Sequence, residues 1–461
     1  MTRSLILLLL FVLAGCTEPP PAPEPLPNIV FFLTDDQRFD MMGNMSPWLH
    51  TPTMDRMAEE GVRFENAFVT TSICAASRAS ILTGLVERTH GFTFLTPPLA
   101  QSFSDMAYPK LMREGGYHTG FVGKLGVWMQ DSLATDTWFD TFVPLNRTPY
   151  FKPQPDGTER HLTDLTADHA IDYIEARSPD QPFMLSVSFN APHAEDNDER
   201  QYLWPVAFDT FYQSLDVPEP PLAEPPFFDD LPRSLRDPEV NMNRYRWLWR
   251  FDTPEKAEAM TKGYYRMISG VDAAMGRVWA ALEAQDLADN TILVLMGDNG
   301  YFLGERGYAG KWLPHEPSIR VPLVIYDPRH PEQAGRRPEA FALNIDLPST
   351  FLDWAGLPIP DAMQGRSLRP LLAGASPDDW RNDFWIEHRM PHPQIVEHEG
   401  VRTERYKYTR YLPHQHETLF DLEADPLETQ NLTASPEHAA MLSALRAHTD
   451  SLRAAYAPPS I

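Results

Sequence analysis

The stretch NIVFFLTDD, residues 28–36, decides the fold. NIVFFLT is a near-continuous apolar run, the pattern of a parallel strand covered on both faces, and it stops directly on Asp35 and Asp36. The same grammar recurs outward along the chain. TPTMDRMAEEGV reads as a helix, with Thr51 as N-cap, Pro52 in first position and Gly61 as the stop. YPKLMREGGYHTGFVGK reads as a helix, a Gly115-Gly116 stop and a strand ending at Lys124. PFMLSVSFNAPH is a strand ending at Asn190 and His193. A helical region over residues 253–285 leads into NTILVLMGDNG, a strand that ends on Asp298 and Asn299, and VPLVIYDP is one more apolar strand. This alternation predicts an α/β fold built on a large, mainly parallel, helix-flanked sheet.

Ligands of such sheets bind outside the carboxyl ends of the strands. Here four strands end in Asp-Asp, Lys, His and Asp-Asn. Any one strand-end Asp reads as a helix cap or a turn residue; the shared position of all four gathers them on one edge. Asp35, Asp36, Asp298 and Asn299 are hard oxygen donors, the set that Ca²⁺ or Mg²⁺ takes. Three carboxylates without a cation would raise one another's pKa values. Zinc fits less well, because no His pair at short spacing accompanies them.

SICAASRASILTG, residues 72–84, carries Cys74, one of two cysteines in 461 residues. Taken alone, Cys74 is a buried packing residue or a surface thiol. With the strand-end residues beside it, the sequence resembles the type I, formylglycine-dependent sulfatases of the alkaline phosphatase-like superfamily. CAASRASILTG matches their motif of Cys, any residue, Pro or Ala, Ser, Arg, and later Leu-Thr-Gly; DDQ, GDNG and GYAGKW match as well, over residues 28–432. The resemblance implies that a sulfatase-maturing enzyme converts Cys74 to formylglycine, and Ala76 in place of Pro favours the radical type of that enzyme. The hydrated aldehyde would attack sulfur with one hydroxyl and expel sulfate through the other. A calcium ion, with magnesium the weaker alternative, would be held by Asp35, Asp36, Asp298, Asn299 and the modified Cys74. Arg78 would stabilise the hydrate, Lys124 and Lys311 would contact sulfate oxygens, and His193 would donate a proton to the leaving oxygen. The bland alternatives are solvated lysines and a structural loop histidine.

Two departures from the pattern bear on the site. Many relatives read Gly-Lys-Trp-His-x-Gly after the second strand, whereas this chain reads GKLGVW; His90 or His315 is the expected substitute for the absent histidine. In GERG, Arg306 stands where relatives often carry His, so it reads a second acidic group on the substrate or is a surface arginine.

Residues 195–252 lose strand periodicity, become Pro-rich and end in NRYRWLWRF, resembling a family-variable insertion over the pocket. Trp247 and Trp249, beside Arg244, Arg246 and Arg250, form either a platform for an anionic sugar or a packing seam. Tyr150, Lys152 and His161 lie in a second loop expected near the pocket. The expected organisation is an export signal over residues 1–15, a Pro-rich tether over 16–27, a catalytic domain over 28–375, and a C-terminal α+β subdomain over 376–461. That subdomain is expected to carry a small antiparallel sheet and a helix, dock on the main domain and supply one wall of the cleft.

The N-terminus, MTRSLILLLLFVLAGC, has one basic residue and an apolar run too short to span a bilayer. Its LAGC resembles the bacterial lipobox, which implies lipidation at Cys16, export and anchoring to the outer membrane; the alternative is an ordinary cleaved signal. A net charge of −25 excludes nucleic-acid binding through a basic surface. It also requires local cations or a metal to attract any anionic substrate. The expected function is hydrolysis of a sulfate ester on a polysaccharide or oligosaccharide. Its rivals are a phosphodiesterase or phosphonate monoester hydrolase of the same superfamily, and a non-catalytic lipoprotein that binds sulfated glycans.

Overall fold

Strand β1 (Asn28–Asp35) is buried over its whole length because it lies in the middle of a seven-stranded sheet. The computed structural model describes residues 25–94, 97–178, 180–223, 231–412 and 416–458. In chain order the sheet also contains β2 (Val62–Arg63), β3 (His118–Gly123), β4 (Thr141–Pro144), β5 (Phe183–Pro192), β6 (Thr291–Gly297) and β7 (Leu323–Tyr326). The spatial order is β2-β7-β6-β1-β5-β3-β4. From β6 to β4 every neighbour is parallel. β7 runs antiparallel to both β6 and β2. VPLVIYDP is thus the strand that departs from the parallel pattern, because residues 298–322 fold back over the carboxyl edge without a crossover helix to reverse their direction.

Side chains alternate across β1, and each face meets its own helices. Val30 and Phe32 pack with α1 (Pro52–Glu60), α4 (Leu162–Ala176) and α6 (Pro254–Ala284). Ile29, Phe31 and Leu33 pack with α2 (Cys74–Thr83), α3 (Tyr108–Glu114) and α7 (Asp346–Trp354). α2 is buried on every side, so its first residue is held by the core and not by a loop. It ends at Gly84, whose left-handed φ of 71° suits a residue without a Cβ. Helix α5 (Met242–Arg250) belongs to the irregular stretch that covers the carboxyl edge.

A second, four-stranded antiparallel sheet runs in the order β8 (Asp383–His388), β9 (His398–Thr403), β10 (Tyr406–Tyr411), β11 (His416–Asp421). Helix α8 (Ala439–Ala455) covers it, placing Leu442 and Leu445 on Val401, Tyr408 and Leu419. The sheet docks on the main body through buried charge: Arg88 pairs with Glu387 and Glu399, and Lys407 with Glu316. It does not wall the cleft over Cys74; every lining residue comes from residues 73–312. The docking charges hold it against Arg88 and the segment around Glu316, and of its described residues only Ile395, between β8 and β9, packs against the Ile73, Cys74, Ala76 and Trp312 cluster beneath the opening.

Candidate active site

The strand ends converge as their spacing implies. Asp35 closes β1, Asp36 follows it at a left-handed φ of 71°, Lys124 follows β3, His193 follows β5, and Asp298 and Asn299 follow β6. A non-glycine residue in that region carries local strain, common where side chains are held for function. Lys124 can sit there because of Gly123. At φ 112° a Cβ on Gly123 would stand 1.9 Å from the Ser188 carbonyl oxygen, which accepts the Lys124 amide at 2.9 Å. Cys74 enters from above as the first residue of α2, 5 % exposed.

Arg78, one helical turn after Cys74, is locked from three sides. Its Nε donates to Asp298 Oδ2 at 2.7 Å, and its Nη1 donates to the Lys124 carbonyl and Ser188 Oγ, each at 2.5 Å. Lys124 Nζ bonds Asp35 Oδ2 and Lys311 Nζ bonds Asp36 Oδ1. Asn299 Nδ2 donates to Asp36 Oδ1 at 2.6 Å, and the Asp36 amide donates to Asp298 Oδ1 at 3.2 Å. Burial opposes the charge on Asp35, but Lys124, Lys311 and Arg78 hold its carboxyl down at about 2. Burial and the Asp35 charge push Asp298 upward. Lys311 is buried, yet Asp36, Cys74 and Asp35 hold it protonated.

His193 departs from the expected proton donor. Burial, then Arg147, Lys311 and Lys124, push its pKa well below the ordinary value, so the ring is neutral. Its Nδ1 donates to the Ala194 carbonyl at 2.7 Å, which leaves Nε2 as the acceptor of Arg147 Nη1 at 2.9 Å. Tyr150 lies underneath, donating to the Asn190 and His193 carbonyls at 2.9 and 2.6 Å. His161 stacks on Tyr150 and Lys152 reaches only the Thr148 carbonyl, so this loop supports the site without facing it.

A cleft of about 530 Å³ opens on Cys74, Lys124, Asn190, His193 and Lys311. Residues 27–357 match the Sulfatase family, almost three-quarters of the chain. The chain belongs to the sulfatase family. It is a sulfuric ester hydrolase with an alkaline phosphatase-like fold. Residues 304–455 also match the C-terminal region of N-sulphoglucosamine sulphohydrolase. The sulfatase is 28 % identical to an N-acetylglucosamine-6-O-sulfatase of Bacteroides thetaiotaomicron, over 93 % of this chain and 86 % of that protein. It is 29 % identical to an arylsulfatase of Clostridium perfringens, over 91 % and 93 %. The solved structure of BT4656 in complex with its substrate D-glucosamine-2-N,6-O-disulfate superposes with a TM-score of 0.78 at 26 % identity, covering 94 % of this chain and 98 % of that one. A phosphonate monoester hydrolase of Agrobacterium radiobacter shares the fold, with a TM-score of 0.75 at 24 % identity over 93 % and 96 %.

Membership of the family implies a formylglycine and a divalent metal, and the residues present fit both. Asp35 Oδ1, Asp36 Oδ2 and Asn299 Oδ1 are buried with no hydrogen-bond partner, which is the condition of oxygens meant for a cation. Ligand atoms of Asp35, Cys74 and Asp298 lie within 4.8 Å of one another, as do those of Asp35, Asp36 and His193.

Other expected residues lie elsewhere in the sulfatase. Arg306 donates to the Leu427 and Glu428 carbonyls, so it clamps the C-terminal region and reads no ligand. His315 is buried between the rings of Phe302 and Phe420, at 6.0 and 6.3 Å. His90 bonds Ser80 Oγ and the Phe92 amide inside the core. Neither histidine lines the cleft. Trp247 packs on the main core under Arg244, and Trp249 is a third exposed with its edge on Tyr245. They form a packing seam because α5 turns its Arg246 side, not its tryptophans, to the cleft. The aromatic wall belongs instead to Trp312, Trp128 and Phe94. Sequence reasoning missed Arg147, which sits in the unremarkable loop LNRTPY, and Trp312, whose only signal was its place beside Lys311. Cys16 lies outside the described residues.

Proposed function

We propose that this sulfatase removes sulfate from a carbohydrate, with a 6-O-sulfated glucosamine unit as the first substrate to test. The observation that carries the reading is the convergence of Cys74, Arg78, Lys124, His193 and Lys311 over Asp35, Asp36, Asp298 and Asn299 in one cleft. The names of similar proteins support the sugar class: the Bacteroides enzyme, a human N-acetylglucosamine-6-sulfatase at 28 % identity, and the glucosamine disulfate complex. The proposed ion is calcium, ahead of magnesium, because an all-protein oxygen cage suits the larger cation. Ala76 supports maturation by a radical-type enzyme. LAGC at residues 13–16 supports export, lipidation at Cys16 and an outer-membrane anchor. Among the described residues no helix is long and apolar enough to cross a membrane.

Hydrated formylglycine at position 74 would supply an oxygen nucleophile with its own release path, and a cation held by Asp35, Asp36, Asp298 and Asn299 would supply offsetting charge. The chain's own side chains do the remainder. Lys124 and Lys311 hold the sulfate oxygens against an otherwise acidic protein. Arg78, fixed by Asp298, Ser188 and the Lys124 carbonyl, keeps residue 74 aimed at the ester. Lys311 carries the proton that the leaving oxygen needs, while the neutral His193 holds Arg147 through Nε2. The aromatic wall excludes water from the far side of the ester.

The test is sulfate release from defined 6-O-sulfated glucosamines by protein co-produced with a maturase, with formylglycine confirmed by peptide mass. Sulfate should appear and vanish in Cys74→Ala, with a loss on the order of 10⁶-fold, the scale for a missing nucleophile. A formylglycine-bearing preparation inert on every sulfated sugar overturns the reading. Turnover of matched phosphonate or phosphate esters by that same preparation would then favour the second reading, which the shared fold of the phosphonate hydrolases motivates.

A further inference from the structure

The cleft wall holds more positive charge than its neighbours neutralise. Lys124 and Lys311 each have a carboxylate partner, Asp35 and Asp36. On the wall, two guanidinium groups share one carboxylate and a third has none in salt-bridge contact. Arg250, fully buried, takes Asp196 Oδ1 at 2.6 Å, and Arg246 takes Asp196 Oδ2 at 2.9 Å. Arg147 has no carboxylate within 4.0 Å among the described residues; its bonds go to the His193 ring. The Nε atoms of both Arg147 and Arg246 are buried without a hydrogen-bond partner. Arg246 also lies over the Trp312 ring at 4.9 Å, so it is held in place at the cleft and does not sweep through solvent. Arg147, Arg246, Asp196 and Trp312 all line the same opening as Cys74.

Arg147 feels Asp196, Asp35 and Glu195 only at a distance and Arg246 shares its one carboxylate, so in a protein of net charge −25 the two leave guanidinium charge at the cleft that an anion would balance. Guanidinium groups bind sulfate and carboxylate through paired hydrogen bonds, which an ammonium cannot match. We propose that Arg147 and Arg246 form a second anion subsite, so that the preferred substrate carries a sulfate, sulfamate or carboxylate group beside the ester that is cleaved. This rests on the carbohydrate-sulfatase reading above and adds to it which sugars are chosen. The apolar faces of Trp312 and Trp128 would take the sugar ring between the two anions.

The test compares three sugars: N-acetylglucosamine 6-O-sulfate, glucosamine 2-N,6-O-disulfate, and a 6-O-sulfated N-acetylglucosamine linked to a uronate. The second and third separate a sulfamate from a carboxylate source. At least one should exceed the first in kcat/KM by about tenfold, the worth of one charge-assisted pair. Arg246→Gln and Arg147→Gln should each pull that ratio toward one, and Arg246→Lys should keep part of it. The same preference should appear in Kd for Cys74→Ala protein, read by calorimetry without turnover. Ratios within about twofold of one in the wild type, or ratios untouched by both glutamine variants, overturn the subsite. If catalysis is absent from all three sugars, the parent reading fails, and the calorimetric ratio alone still decides the subsite.

Discussion

The floor and the wall of the cleft are built on opposite principles. The floor residues stand at the ends of central strands or on a helix buried on all sides, and Arg78 is fixed there by three bonds, while Asp35 Oδ1, Asp36 Oδ2 and Asn299 Oδ1 are left open for a cation. The wall residues Arg147 and Asp196 come from loops and Arg246 from the short helix α5, and both cleft arginines keep an unpaired Nε. Positioning for chemistry needs rigid elements, whereas selection among substrates needs only that the right charge faces the opening. The floor should therefore be intolerant of change, and the wall should trade one preference for another.

The sharpest way to break this comparison is Lys311→Ala. Lys311 is buried and pairs with Asp36, so its loss should cut kcat by roughly 10²–10³-fold, the scale of a missing preorganised donor. A loss confined to KM would move Lys311 from the floor's chemistry to simple binding.

Acid should expose a different weakness, in the C-terminal sheet. Burial, reinforced by Lys407, lowers His398 to about 4 from 6.5, against a Val396 carbonyl that favours the proton. Its folded pKa is depressed, so its stabilising contribution is complete above pH 6.5 and is lost as pH falls from there toward 4. The loss is about 1.4 kcal/mol per pH unit. The Tm difference between wild type and His398→Gln should shrink over that window. A constant difference would mean that the ring is not held neutral.

Arg306→Ala should leave kcat/KM for any sulfate ester unchanged and cost about 2 kcal/mol, because it strips two buried carbonyls of their donor. A specific loss on substrates with a second anion would return Arg306 to the wall. The smallest effect belongs to Trp249→Ala: a shift within about 0.5 kcal/mol in urea unfolding and no change in substrate preference.

Much of the floor was legible in the chain's linear order. Apolar runs that stop on Asp35-Asp36, Lys124, His193 and Asp298-Asn299 can share only one edge of a parallel sheet, and the residues around Cys74 name the chemistry. Local pattern also sufficed for α2, α6 and the direction of four of the seven strands. What the chain could not declare is which side of an irregular segment faces the cleft. NRYRWLWRF shows two tryptophans and three arginines, yet only Arg246 lines the opening, because the helical turn places Trp247 on the core. Arg147 has no motif at all, and only the packing of its loop against His193 brings it in. Arg306 and His315 looked like ligand readers in sequence, and the docked C-terminal region takes both. Periodicity and motif report what one segment does along its own axis. Where two segments meet is set by long-range packing, and that is why the reactive centre could be read from sequence while its wall needed the tertiary structure.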